Sequence, residues 1–321
     1  MFAAPAEITT RVFAQLPDEY MSARPENEWV RGQPAGSPAR SVIEGPSFDR
    51  EGNLWCVDIP NGRVFRIDPG GNFVLVTEYD GWPNGLKIHR DGRIFIADYK
   101  HGIMLLDPAS GVVTPYLVRA NLERFKAVND LFFARNGDLY FTDQGMTGLH
   151  DPTGCVYRMT PAGRVDCVLD NVPSPNGLVM NHDETMLYVA VTRGNCVWRV
   201  PLTRDGNATK VGIYIQLSGG WGGPDGLALD GAGNLAVAHV GLGTVWIFDA
   251  HGEPLYRVRS CAGMHTTNVA YGGPDNCTLY ITESATGAIL CADLRTSGKP
   301  MYSHTPDGEA SPMDRHHNDG R

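Results

Sequence analysis

The sequence lacks most of the features that assign a function at sight. No stretch approaches the roughly 18 consecutive apolar residues of a membrane-spanning helix, and the start, "MFAAPAEITTRVFAQLPDEY", carries no basic leader followed by an apolar run. The seven cysteines (56, 155, 167, 196, 261, 277 and 291) are odd in number, scattered and never spaced as CxxC, which argues against both a disulfide framework and a zinc knuckle. Together these absences describe a reduced, cytoplasmic, soluble protein without a membrane partner. No basic run interrupts a net charge of −9, so nucleic acid is not an expected partner. There is no GxSxG elbow, HExxH, P-loop or GxGxxG entering a helix, which removes serine hydrolases, zincins and nucleotide-dependent enzymes.

What the chain does have is turns and short strands. Glycine (38) and proline (22) are abundant in its 321 residues, and Val, Tyr and Thr recur in short runs. Six segments share one grammar, beginning "EGPSFDREGNLWCVD", "NGLKIHRDGRIFIAD", "NDLFFARNGDLYFTD", "NGLVMNHDETMLYVA", "DGLALDGAGNLAVAH" and "NVAYGGPDNCTLYIT". In each, a polar residue precedes an apolar strand, a turn rich in Asp, Gly and Asn follows, and further strands close the unit. The units start at Glu44, Asn84, Asn129, Asn176, Asp225 and Asn268, in steps of 40, 45, 47, 49 and 43 residues. A period near 45 with three or four strands per unit predicts an all-β fold, a six-bladed β-propeller with a central metal-binding channel. Residues 1–299 are expected to form this single domain, with segment 7–17 supplying the outer strand of the last blade. The polar tail 300–321 is expected to be loose.

The six starting residues all carry a side-chain oxygen. Asn-Gly and Asp-Gly pairs also make turns, but Glu44 is no turn former and Asn268 precedes Val269. The shared register instead predicts an axial ring of two carboxylates and four carboxamides. Such hard donors suit Ca²⁺. Mg²⁺ and Mn²⁺ remain open, and Zn²⁺ is less favoured because no Cys or His shares the register. A water-filled polar channel without metal is the alternative.

The motifs "IEGP", "NDLFF…GDLYFTD", "SPNGLV" and "GPDGLALD", in this order over about residues 41–294, resemble those of the senescence-marker/gluconolactonase family of six-bladed propellers. The resemblance implies a metal-dependent lactone hydrolase with a small-molecule, lactone-like substrate. It implies metal ligands at Glu44, Asn176 and Asp225, with Asn129 ligating or holding substrate, and Asp225 as general base. Sugar-lactone members carry an arginine two residues before the Asn-Asp pair. Here "KAVND" puts Ala127 there with Lys126 beside it, which favours a less hydroxylated or more apolar substrate than gluconate lactone.

In the expected chemistry a cation polarises the ester carbonyl while Asp225 activates water or attacks as a nucleophile. Asn84, Asn129, Lys126, Tyr99 and His265 are the candidate substrate contacts. Asp130 is a partner for the ring or a structural hydrogen-bonding group. Trp82, Trp221 and Tyr99 are pocket walls or packing residues. Asp58, Asp98 and Asp143, ending the second strand of the first three units, are expected to cap backbone N–H groups. The rival readings are hydrolysis of a phosphotriester or cyclic diketone, and a non-catalytic binding propeller.

Overall fold

Short runs of β-branched and aromatic residues, each ended by an Asx-type turn, set the local structure. In Asp49–Asn53 the Asp49 carboxylate accepts the N–H groups of Glu51 and Asn53 at 3.0 and 2.8 Å, and Gly52 takes the left-handed conformation the turn needs (φ 83°). The same device recurs at Asp230, which accepts from Ala232 and Asn234.

The computed structural model describes residues 4–21, 27–33 and 41–305. It is a ring of six antiparallel sheets. Their innermost strands are Ile43–Phe48, Pro83–Ile88, Val128–Phe133, Pro175–Met180, Gly223–Leu229 and Thr266–Gly272. The hydrophobic core lies between blades rather than at one centre. Trp55, Val57 and Val64 of the first blade, for example, pack with Leu86, Ile94 and Met104 of the second.

Ring closure uses the N-terminal segment twice. Arg11–Gln15 pairs antiparallel with Ala288–Asp293, giving the sixth blade the outer strand expected from segment 7–17. Ala6–Thr9 adds a parallel fifth strand to the fifth blade, beside Pro254–Arg259, which the repeat did not foretell. Thr10 locks the step between them: its N–H donates to the Arg259 carbonyl and its hydroxyl accepts from the Cys261 N–H, both at 2.9 Å.

The expected boundary at residue 299 needs correction. Residues 300–305 pack under the propeller instead of leaving it. Tyr302 is buried and stacks on Phe133 with centroids 5.1 Å apart, Ser303 Oγ donates to the Phe48 carbonyl, and Arg50 Nε donates to the Ser303 carbonyl. An aromatic residue finds more buried apolar surface there than in solvent, which a polar composition average does not register. The remainder of the tail, 306–321, lies outside the described residues. No helix among the described residues is long and apolar enough to cross a membrane.

Candidate functional site

Each innermost strand enters the axis through an irregularity in its pairing. Register breaks fall at Glu44/Ser47, Pro83/Gly85, Val128/Leu131, Pro175/Leu178, Pro224/Leu227 and Thr266/Asn268. Such bulges re-aim side chains, and here they lie at the aligned polar positions. The Asn-Gly and Asp-Gly pairs are therefore strand residues, not hairpin turns. Their glycines let neighbouring strands meet at the narrow axis. A Cβ on Gly85 would lie 2.7 Å from Asp130 Oδ1, and one on Gly226 would collide with the Asn268 side chain.

Carboxylates clamp the chain just before the aligned residues. Asp58 accepts from Val42 N–H at 3.0 Å, Asp98 from Trp82 N–H at 3.1 Å, and Asp143 from Lys126 and Ala127 N–H at 2.9 and 2.7 Å. Glu283 takes the same part in the sixth blade, accepting from His265 N–H at 2.9 Å. These are the backbone caps expected of the three aspartates, extended to a fourth blade.

The result is a cavity of about 220 Å³ at one end of the axis. Glu44, Asn84, Asn129, Asn176, Asp225 and His265 all line it. Asn268 does not keep the expected role of an oxygen donor in the ring. Its Nδ2 donates to Glu44 Oε2 at 2.8 Å and to Asp130 Oδ2 at 3.4 Å, while its Oδ1 accepts the Val269 N–H. A carboxamide beside two buried carboxylates presents its N–H₂ to them, and Thr267 lines the cavity in its place.

Three carboxylates crowd this end of the channel. Burial, then the nearby Asp130 charge, raises the Glu44 pKa from its ordinary 4.5 to about 7, against the Gly45 N–H and the Asn268 amide, which favour ionisation. Burial also lifts Asp225 well above the usual carboxylate range, with Glu44 and Asp130 adding to the effect and Arg193 and Asn176 opposing it. Asp130 is buried, its Oδ1 accepts the Leu131 N–H at 2.8 Å, and Lys87 Nζ stands 3.9 Å away.

Among the cavity-lining residues described, the Asn129 carboxamide oxygen is buried without a partner. Asn129 Nδ2 donates to Gln144 Oε1, and Gln144 Nε2 donates to Ser174 Oγ, both at 3.0 Å. This chain fixes the amide so that the buried Asn129 Oδ1 has no hydrogen-bond donor. Unpaired buried acceptors are costly, and a cation or substrate donor satisfies one. Among the described residues no three His, Cys, Asp or Glu side chains form a metal cluster. Any cation held here would therefore take mixed carboxylate and carboxamide donors, a hard-oxygen set.

Two other expected contacts sit farther out. Tyr99 lines a groove of about 690 Å³ that shares Asn84, Gln144, Arg193 and Trp29 with the cavity; its hydroxyl donates to the Gly145 carbonyl at 2.6 Å. Lys126 lines neither space, because its ammonium is drawn away to the Thr153 carbonyl and hydroxyl. Trp82 lies on a separate surface beneath the Lys100 ammonium, and Trp221 is exposed, edge-on to His265. Sequence reasoning missed Trp29 and Gln33, which lie on or beside the helix Glu28–Arg31 and line both spaces. Asn27 caps that helix through Trp29 N–H at 2.9 Å and ties it to the Pro60 carbonyl. Its signal is the Asn-Glu start of a short helix, outside the repeat. Gln144 was also missed, although it follows Asp143 in the "FTDQ" strand end.

Six blades around a polar axial cavity make this a six-bladed β-propeller with its candidate site at one end of the axis. The chain belongs to the SMP-30/gluconolactonase family: the model described as SMP-30/Gluconolactonase/LRE-like region matches residues 42–285. A curated relative, lactonase drp35 from Staphylococcus aureus (strain USA300), is 31% identical over 232 residues, covering 67% of this chain and 69% of its own. In fold, the chain is similar to a calcium-binding protein, regucalcin, from Agrobacterium tumefaciens, with TM-score 0.75 and 24% identity over 93% of this chain and 99% of that one. A gluconolactonase from Xanthomonas campestris has TM-score 0.70 and 22% identity, over 90% and 95% of the two chains.

Proposed function

We propose that this protein is a metal-dependent carboxylic ester hydrolase that opens lactone rings, with Glu44, Asn129, Asn176 and Asp225 holding a divalent cation, Ca²⁺ before Mg²⁺, Mn²⁺ or Zn²⁺. The observation that carries the reading is the convergence of Glu44 and Asp225 on a cavity where Asn129 Oδ1 has no donor. Similarity to lactonase drp35, 31% identical, supports the bond type, and likeness in fold to regucalcin, a calcium-binding protein, supports the ion. A bound divalent cation supplies Lewis acidity to the ester carbonyl.

The remaining steps belong to the chain. Asp225, partly exposed to the cavity, takes a proton from water as the water oxygen bonds to the carbonyl carbon. The ring C–O bond then breaks, and the proton held by Asp225 passes to the departing alkoxide, leaving a hydroxy acid. Asn176 lines the cavity with Asp225, favours its ionised form and orients that carboxylate. Asn84 and His265 line the space where the ring would lie, and Tyr99 belongs to the groove beyond. A cytoplasmic location is part of the same proposal, supported by seven cysteines that are all free.

The test is a lactone panel followed by proton release in the presence of Ca²⁺, with wild type beside Asp225→Asn. Turnover by wild type and a loss of at least about 100-fold in the variant are expected, in line with a lost general base. Near-full turnover by Asp225→Asn sinks the assigned site.

A further inference from the structure

The mouth of the cavity differs in charge from its floor. Glu44 and Asp225 line the inner space, whereas among the described residues no carboxylate lines the adjoining groove of about 690 Å³. In a chain of net charge −9, the basic side chains that line that groove among the described residues are Arg193 and His150. The two flank one backbone point: a Cβ on Gly148 would lie 3.1 Å from His150 Nδ1 and 3.6 Å from Arg193 Cγ. Among the described residues no carboxylate is ion-paired or hydrogen-bonded to the Arg193 guanidinium.

Arg193 is also fixed relative to the reacting centre. It sits in the turn Thr192–Gly194, closed by Asn195 in the left-handed conformation (φ 49°). Asn195 Nδ2 and Gln216 Nε2 tie this turn to Gly219 O and Asn195 O at 3.1 and 2.9 Å. Thr192 Oγ1 donates at 2.8 Å to the carbonyl of Pro224, the residue before Asp225. The guanidinium is close enough to favour the ionised form of Asp225, and it lines both the cavity and the groove. Meanwhile position 127 is an alanine, which carries no charge, and the Lys126 ammonium is held by Thr153, so neither offers a cation to a substrate.

We infer that the substrate is a lactone bearing a carboxylate on a substituent that runs from the ring into this groove, where Arg193 grips it beside the His150 imidazole. The inference rests on the lactone-hydrolase reading and names the substrate class within it. A planar guanidinium matches a carboxylate with two parallel hydrogen bonds. Trp29, Tyr99, Met146 and Leu149 give the substituent's carbon skeleton an apolar wall, with Met146 and Leu149 68% and 73% exposed.

The experiment compares a γ-lactone carrying a free carboxylate on its side chain with the methyl ester of the same compound, in the presence of Ca²⁺. Wild type is expected to prefer the acid in kcat/KM by about 10- to 100-fold, the range of a charge-assisted hydrogen bond. In Arg193→Gln the preference collapses, chiefly through KM for the acid, and Arg193→Lys recovers part of it. Raising the salt concentration also narrows the wild-type preference. Equal use of acid and ester by wild type, or an unchanged ratio in Arg193→Gln, overturns the substrate class while leaving lactone hydrolysis standing. Failure to open either compound, or any member of the lactone panel, overturns the hydrolase reading itself and this inference with it.

Discussion

Replacing Asp143 by alanine tests how the blades hold the site in register. The carboxylate is 2% exposed and accepts two backbone N–H groups, Lys126 at 2.9 Å and Ala127 at 2.7 Å, two to three residues before Asn129. Each such bond to a charged acceptor contributes about 1.5–3 kcal/mol, and its loss leaves a buried donor unpaired. Two bonds give a destabilisation of about 3–6 kcal/mol. Burial raises the Asp143 pKa, so desolvation offsets part of the gain and the lower half of that range is the expected one. At about 2.1 cal/mol/K of unfolding entropy per residue, a chain of 321 residues shifts by about 1.5 °C per kcal/mol, so Tm should fall by about 4–7 °C in a calorimetric melt. Asp143→Asn keeps an acceptor oxygen and should lose about half as much. Because Ala127 leads directly into the strand bearing Asn129, turnover should drop in Asp143→Ala even well below its Tm. A Tm within about 2 °C of wild type, with full activity, refutes the idea that these carboxylates set the register of the axial residues.

Other outcomes follow from the same geometry. Gly226→Ala forces a methyl group into the Asn268 side chain and backbone where the fifth and sixth blades meet, so a loss of about 2–4 kcal/mol is expected in denaturant unfolding; a change under 0.5 kcal/mol contradicts the close approach. Glu44 has a folded-state pKa of about 7, above its ordinary 4.5, so the cation-free chain binds a proton that the unfolded chain releases. Its stability therefore falls as pH rises from about 4.5 through 7. Calcium needs the ionised form, so the Tm gap between Ca²⁺-loaded and chelated protein should widen between pH 5 and 8. A gap that stays constant or narrows contradicts the assignment of Glu44 as a ligand.

The fold was legible because its signal is repeated. Six copies of one strand grammar at a period near 45 fix the blade count, and the polar residue opening each copy marks the axis. Family motifs fell on the same positions, which is why Glu44, Asn129, Asn176 and Asp225 could be named before any geometry was known. Features used only once were not legible. The helix bearing Trp29 lies before the first repeat, and Tyr302 sits in a tail whose composition is polar. Amide orientation was hidden too: a sequence names Asn268 but cannot say that its N–H₂ turns to Glu44, because the neighbour lies 224 residues away. Nor does the adjacency of Lys126 to the Asn-Asp pair reveal Thr153, whose carbonyl accepts its ammonium. Arg193 lies in a turn between strands, and packing of the fourth blade against the fifth brings it to the cavity that Asp225 lines.

The central claim is that lactone opening depends on a cation held by the axial oxygen donors. Its most direct test is the rate of lactone opening by one sample before chelation, after exhaustive chelation, and during back-titration with Ca²⁺, run in parallel on Glu44→Gln. Activity is expected to vanish on chelation, to return along a saturable curve, and to need at least about 100-fold more Ca²⁺ in the variant, the equivalent of losing about 2.7 kcal/mol of ligand binding. Undiminished turnover by the fully chelated wild-type protein would contradict it.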